Sequence, residues 1–466
     1  MGIASHLFFS SNDTDKQTLH RRITPSSDQF ELQRARWSEL ANHLVGDLRT
    51  RSGCAIRTWL QGSYKYGTQV RPPRMKEEFD IDLGVFFCWS GYAENGAHSA
   101  SELQSMVQAS VIEYARTAEG VRRVEIPPKP RCVRVHYDDG FHVDIPCYHL
   151  DPDADERTLA AKDGWEVSDP KAIYKWFKEQ FEESIRSRVR RQIRYLKCWA
   201  GLKWKIDGGR PSSVLLTVLV SDGFARLSEG EIGSEDDTLR ALLRRISTRL
   251  KRGNRVRNPV NPEENLNRLS EDEWTAFCEG IDEFIRIAED ACSSDSEIEA
   301  ADHWSRAFAQ FFPMPELSSA IAVDGMGGRS LIPAMRPDVM VSAVSRTNQK
   351  YTFSGRNAIG PLPKDCDIFF RLVGLETLPS GTTIEWIVRN EGGEAENTND
   401  LGHLAGVGST ASERSAYNGT HFMDCVLRHN GRIFGVRRIP VSITGLPIPR
   451  RNPLSRPSYA ALMGRR

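Results

Sequence analysis

Two aspartates one residue apart stand inside an otherwise apolar run, FDIDLGVFF, at residues 79–87. Side chains alternate along a strand, so Phe79, Ile81 and Leu83 point one way while Asp80 and Asp82 share the other face. Carboxylates that close repel one another unless a cation lies between them. A hard divalent ion, Mg²⁺ or Mn²⁺, takes carboxylate oxygens and keeps positions open for phosphates. A third carboxylate is expected nearby. The segment RCVRVHYDDGFHVDIPCY at 131–148 reads as a hairpin turning at Asp139-Gly140, with Asp144 on the face opposite its apolar set. Three carboxylates can hold two ions. One lowers the pKa of an attacking hydroxyl and the other steadies a leaving pyrophosphate.

Phosphates need a cradle, and Gln61-Gly62-Ser63 lies about 17 residues before the first aspartate. Gly62 lets the backbone approach an anion closely. Ser63 offers a hydroxyl and an amide at a possible helix start. Lys65 and Tyr66 add charge and hydrogen bonds. Each piece alone has an ordinary reading: a solvated face, a turn, a loop cap. Gly-Ser, then two aspartates in an apolar strand, then an aspartate in a later apolar strand, is a much rarer conjunction.

The elements that must position these residues follow from periodicity. Residues 26–50 read as an amphipathic helix, and short strands follow to about residue 150. Ser168-Asp169-Pro170 is a helix start, and 171–206 reads as one long helical stretch within a helical region reaching about residue 310. Residues 311–365 are rich in Pro, Gly and Ser and read as a connector. Strand patterns fill 366–444, and the last 20 residues carry five Arg and no acid, the composition of a flexible, solvated tail. The division expected is a catalytic core at 1–168, a helical lobe at 169–312, a connector at 313–365, a β-sandwich at 366–446 and a basic tail at 447–466.

Composition narrows the class. The chain has 466 residues, 39% hydrophobic and 27% charged, which fits a globular protein with its own cores. Its 62 Lys+Arg balance 62 Asp+Glu. Stable binding of duplex nucleic acid would call for a basic excess, so a small, locally held anion is the expected partner. The nine cysteines form no CxxC pair, which argues against a disulfide framework or a zinc site and for a reducing cytoplasm. No apolar run is long enough to span a membrane.

The motif QGSYKYGT…FDIDLGVFF…FHVDIPCY resembles the nucleotidyltransferase core of the polymerase-β superfamily. More narrowly it is similar to the bacterial cGAS/DncV-like nucleotidyltransferases, the CD-NTases of anti-phage signalling. RQIRYLKCW (191–199), PSSVLLTVLV (211–220) and NPVNPEENL (258–266) resemble that family's helical segments. The resemblance covers roughly residues 30–312. It implies an α+β fold, a polymerase-β-like core with a helical lobe. It also implies metal binding at Asp80, Asp82 and Asp144, and nucleotide contacts at the Gly-Ser motif, at Lys197 and at Ser212 or Ser213. Read alone, Arg186, Arg190, Arg191 and Arg194 are an ordinary solvated face. Lys197, beside apolar Leu196 and Trp199, can snorkel toward a triphosphate.

Residues 384–403 and 413–432 are similar to the adenylyl/guanylyl cyclase and SMODS C-terminal sensor domain, which implies a small ligand, a nucleotide among the candidates. Bottom-up, the region is a small β-sandwich with Trp386 in its core. Asn390, Asn399, Asp400, Tyr417 and His421 either converge on a ligand or cap turns, and His403 fits a solvated loop. The function implied is a Mg²⁺-dependent synthase joining ATP or other nucleoside triphosphates into a cyclic di- or trinucleotide messenger. The alternatives are a linear oligonucleotide or RNA nucleotidyltransferase and a nucleotide sensor without turnover.

Overall fold

The computed structural model describes residues 2–12, 18–74, 77–315 and 335–445. It divides into two compact units, Met1–Ser293 with Arg306–Phe308, and Ser294–Ser305 with Ala309–Arg466. The expected basic tail at 447–466 lies outside the described residues.

The first unit opens with two short helices, α1 (Ser5–Phe8) and α2 (Leu19–Ile23), before the long α3 (Ser27–Ser52). Ser26 and Gln29 close a capping box at the start of α3, and Gly53, at φ 69°, ends it in the left-handed conformation. The chain continues through β1 (Ala55–Gln61), α4 (Gly62–Tyr66), β2 (Phe79–Cys88), α5 (Ala100–Tyr114) and β3 (Val121–Val124). The hairpin β4 (Val133–Tyr137) and β5 (Phe141–Ile145) follows, then β6 (Cys147–Asp151), β7 (Glu156–Ala161) and β8 (Gly164–Val167). These strands form one eight-stranded mixed sheet.

Strand β2 is its axis. β1 runs antiparallel along one edge. On the other edge β2 pairs in parallel with β5 over Phe79–Asp82 and with β6 over Val85–Cys88, at one constant register. Pro146, which has no N–H, separates β5 from β6, and its carbonyl accepts from Val85. The alternation read in the sequence holds. Phe79, Ile81, Leu83, Val85 and Phe87 are buried in a core shared with Leu40, Leu44 and Leu48 of α3 and Leu103, Val107 and Val111 of α5. Asp80 and Asp82 take the opposite face.

The helical part comprises α6 (Pro170–Glu179), α7 (Glu183–Lys203), α8 (Ser213–Phe224), α9 (Glu235–Leu250) and α10 (Glu271–Cys292), followed by α11 (Glu297–Phe308). Asp169 caps α6 by accepting from the N–H groups of Lys171 and Ala172. The single stretch expected over 171–206 is two helices. Glu182 is extended (ψ 154°), and Arg186 Nε donates to the Phe181 carbonyl that the break leaves open. Residues at the extreme N-terminus pack on this helical part: the Phe8 ring lies 5.3 Å from that of Tyr195 on α7, and the Gly2 N–H donates to Asp237 of α9. The core region expected at 1–168 therefore sends its first residues to the helices.

The second unit is a β-sandwich. Strands β9 (Asp338–Ser345), β10 (Thr352–Arg356), β11 (Ile359–Leu362), β12 (Cys366–Val373) and β13 (Thr382–Arg389) lead to the short helix α12 (Gly393–Asn397). Then come β14 (Leu404–Val407), β15 (Thr410–Arg414), β16 (Gly419–His429) and β17 (Arg432–Ile443). One sheet has the order β10-β9-β12-β15, the other β11-β17-β16-β13-β14. Trp386 is fully buried between them, as expected. The connector assigned to 313–365 needs correction. Its described part carries β9, β10 and β11, and Val339, Val341 and Ala343 of β9 alternate into the sandwich core. Small residues and nearby Gly and Pro hid that alternation.

Candidate active site

Register puts the three aspartates in one place. Asp82 pairs with Gln61 across the β1–β2 ladder and with Asp144 across the β2–β5 ladder, and Asp80 pairs with His142. Asp80, His142 and Asp144 offer ligand atoms all within 4.8 Å of one another. Burial, then the charges of Asp80 and Asp144, push the Asp82 carboxyl well above the usual carboxylate range. The Asp80 side chain is half exposed; desolvation by its crowded surroundings opposes ionisation, but His142, whose Nε2 lies 3.1 Å from Asp80 Oδ1, outweighs that and holds the carboxyl low. This cluster accumulates more negative charge than it can ionise freely, and its hard oxygen donors suit a divalent cation.

Gly62 closes the site from β1. Its φ is 58°, and a Cβ there would stand 1.9 Å from Asp82 Oδ2. Only glycine lets the turn approach the carboxylate this closely. Gly62→Ala is therefore expected to cost about 1–3 kcal/mol of stability through backbone strain. By displacing Asp82 it should also lower turnover about 100-fold. Thermal unfolding alongside steady-state synthesis measures both, and a variant with wild-type turnover would remove Gly62 from the site.

The remaining expected residues are distributed as follows. Gln61 is buried, and its Oε1 accepts from the Tyr148 hydroxyl at 3.1 Å. Ser63 sits in the first turn of α4, and its carbonyl accepts from the Thr68 N–H at 2.9 Å. Lys65 Nζ lies 5.4 Å from the ring centres of both Trp59 and Tyr174, and Tyr66 stacks on Tyr174 at 5.5 Å. Lys197 is buried, its Nζ donating to Thr68 Oγ1 at 3.2 Å. The order Lys197, Thr68, Ser63 thus links α7 to the Gly-Ser turn. Ser212 caps α8, its Oγ accepting from the Leu215 N–H at 3.3 Å, and Ser213 is the exposed first residue of that helix. Neither serine hydroxyl hydrogen-bonds the carboxylate row.

Several residues were not singled out from the sequence. Arg134 stands opposite Asp144 in the hairpin and clamps it with two hydrogen bonds, Nη2 to Oδ2 at 2.7 Å. Counting outward from the Asp139 turn would have found that pair. His142 bridges Asp80 and Glu78. Burial alone would depress its pKa, but the carboxylates of Asp80 and Glu78 beside it raise it to about 9. The basic face of α7 is not idle either. Arg190 Nε donates to the Tyr66 carbonyl at 2.9 Å and Arg194 Nε to the Gln69 carbonyl at 3.3 Å, so with Lys197 they grip the loop after the Gly-Ser turn. Arg191 instead pairs with Glu235.

A mixed sheet that sets three carboxylates on two parallel neighbours, beside a glycine-led turn, is the fold of the polymerase-β-type nucleotidyltransferases. Residues 56–148 match the family model described as cyclic GMP-AMP synthase DncV-like, nucleotidyltransferase domain, and residues 324–444 match the adenylyl/guanylyl and SMODS C-terminal sensor domain. The chain thus resembles the DncV-like nucleotidyltransferases over residues 56–148 and the sensor domain over residues 324–444. A cyclic GMP-AMP synthase of Escherichia albertii is 28% identical over 457 residues, spanning 97% of this chain and 98% of that one. A c-di-GMP synthase of Roseivirga ehrenbergii is 24% identical over 288 residues, 54% of this chain and 73% of its own. Among solved structures, Vibrio cholerae DncV in complex with a linear intermediate shares the fold, with a TM-score of 0.56 at 19% identity over 67% of this chain and 97% of that chain.

Proposed function

We propose that this protein joins two or three nucleoside triphosphates, ATP among them, into a cyclic oligonucleotide messenger of anti-phage signalling, with release of pyrophosphate. The observation that carries the reading is the row Asp80, Asp82 and Asp144 closed by Gly62. The relatives named as cyclic dinucleotide synthases support it. In each step a ribose hydroxyl of one nucleotide attacks the α-phosphorus of another. An O–P bond forms, the bond to the pyrophosphate breaks, and the hydroxyl proton passes to Asp144. The last step is the same attack within the linear product and closes the ring.

Asp80, Asp82 and Asp144 would hold divalent metal, two Mg²⁺ in this reading, which supplies charge neutralisation at the attacking and leaving oxygens. Arg134 orients Asp144, and His142 orients Asp80. The Gly62-Ser63 turn, gripped from α7, presents backbone to the triphosphate. The site retains all three carboxylates, which disfavours a sensor without turnover. A balanced net charge disfavours a long RNA acceptor. All nine cysteines are free, and no helix among the described residues is long and apolar enough to cross a membrane. The proposed partners remain nucleoside triphosphates, with a small ligand at the C-terminal sandwich.

Incubation with labelled ATP and GTP and Mg²⁺, followed by phosphatase and mass spectrometry, tests the proposal. A phosphatase-resistant product of cyclic mass supports it. A product that loses terminal phosphates supports the linear alternative, and no product supports the sensor.

Lys197 gives a pH prediction. Burial, then Arg194, pulls its pKa down to about 7, so it loses its charge as pH rises through neutrality. If its cation serves the triphosphate, KM should climb several-fold from about pH 6.5 to 8.5. Lys197→Ala should start high and lack that climb. Identical pH profiles for the two proteins would confine Lys197 to holding Thr68.

A further inference from the structure

The C-terminal sandwich contains a cavity of about 160 Å³ lined by residues of both sheets. Its walls are apolar, with Phe370 of β12 facing Val388, Met423 and Val441 of the other sheet. Its mouth is polar. Asp400, Tyr417, His421 and Asn390, four of the residues noted in the sequence, all line this cavity, together with His403 and Glu413. Asn399 does not.

The polar groups at the mouth are mostly engaged with one another. The Tyr417 hydroxyl donates to Asp400 Oδ2 at 2.9 Å, and His403 Nε2 lies 2.9 Å from Glu413 Oε1. His421 is held between the Glu391 N–H and the Tyr417 carbonyl. Asn390 differs. The residue is only 9% exposed, its backbone N–H donates to the Leu401 carbonyl, and its side-chain amide, which keeps contact with solvent, has no hydrogen-bond partner among the described residues. A ligand that displaces water from this amide must replace the hydrogen bonds it loses, so the amide selects ligands with a matching donor and acceptor.

The chemistry of the ligand follows from shape and charge. A primary amide presents a donor and an acceptor side by side, the pattern that pairs with the edge of a purine. Apolar walls accept a flat heteroaromatic face. At about 30 Å³ per water, the cavity has room for roughly five waters, which is about one bicyclic ring system. The cations at the mouth are committed: Arg414 to Asp365, and His403 to Glu413. The carboxylates of Asp400 and Glu413 beside them repel a polyphosphate.

We propose that this cavity is a binding site for a purine as the free base or nucleoside, with Asn390 reading its edge and the phosphates of a nucleotide disfavoured. This rests on the reading that the C-terminal unit takes a small ligand, and it names that ligand's class and contacts.

The test is calorimetry on the full chain carrying Asp80→Asn and Asp82→Asn, titrated with adenine, guanine, adenosine, guanosine and ATP. A base or nucleoside should bind more tightly than ATP, and Asn390→Ala should weaken it at least tenfold with an unchanged unfolding temperature. Photolabelling of the wild-type chain with 8-azidoadenosine, mapped by peptide mass spectrometry, gives a readout independent of any variant, and label should fall within 365–445. No binding of any purine up to about 1 mM overturns the proposal. So does label confined to 56–148, ATP binding tighter than the nucleosides, or affinity indifferent to Asn390→Ala. Because binding is read without turnover, these outcomes are separate from whether the N-terminal unit makes a cyclic product.

Discussion

Replacing both Asp80 and Asp82 by alanine is expected to bring product formation to background. The change removes the carboxylates that would hold metal beside the reacting phosphate, a loss of several kcal/mol of transition-state stabilisation. That corresponds to at least about 1,000-fold in rate. The fold should survive, because both side chains lie on the face of β2 opposite its core. Asp82→Asn alone carries a sharper expectation. The folded-state pKa of Asp82 is raised, so its ionised form is disfavoured by folding at every pH above its unfolded value. The substitution should therefore raise the unfolding temperature of metal-free protein near pH 7.5. The advantage should fade as pH falls below the ordinary value of 3.8, where the carboxyl is protonated in both states. Differential scanning calorimetry across that range, with and without Mg²⁺, reads both effects. Wild-type synthesis by the double variant would dissolve the metal-site assignment.

Asp144→Asn should cut turnover by about 100- to 10,000-fold, the range for loss of a positioned proton acceptor. Triphosphate affinity should change little, because Asp144 faces the attacking hydroxyl in the proposed chemistry. The Arg134 clamp adds a control. Arg134→Gln frees Asp144 but keeps its charge, so its defect should be smaller than that of Asp144→Asn. Single-turnover rates with separately measured binding decide the matter. Lost binding with intact turnover of bound substrate would show that Asp144 serves the donor triphosphate instead.

The carboxylate row was legible in the sequence because strand alternation is a local, two-residue rule. FDIDLGVFF and FHVDIPCY each display it unaided. The Asp139-Gly140 turn fixed the hairpin register as well, and Ser168-Asp169-Pro170 fixed the start of α6. What escaped is what depends on partners far away in sequence. His142 meets Asp80 only through the β2–β5 ladder. Arg190 and Arg194 look solvated until α7 is laid against the loop at 66–69. β9 was missed for a different reason. Its buried positions are Val, Val and Ala, and Asp, Met and Ser alternate with them, a weak contrast beside a Pro- and Gly-rich neighbourhood.

The grip of α7 on that loop has an evolutionary corollary. Arg190 and Arg194 hold main-chain carbonyls, those of Tyr66 and Gln69, and a carbonyl is the same whatever side chain it belongs to. The anchor therefore imposes no choice of amino acid at 66 or 69. What constrains those two positions is instead their own side-chain contacts, the Tyr66 ring on Tyr174 and Gln69 Nε2 donating to the Asp80 carbonyl.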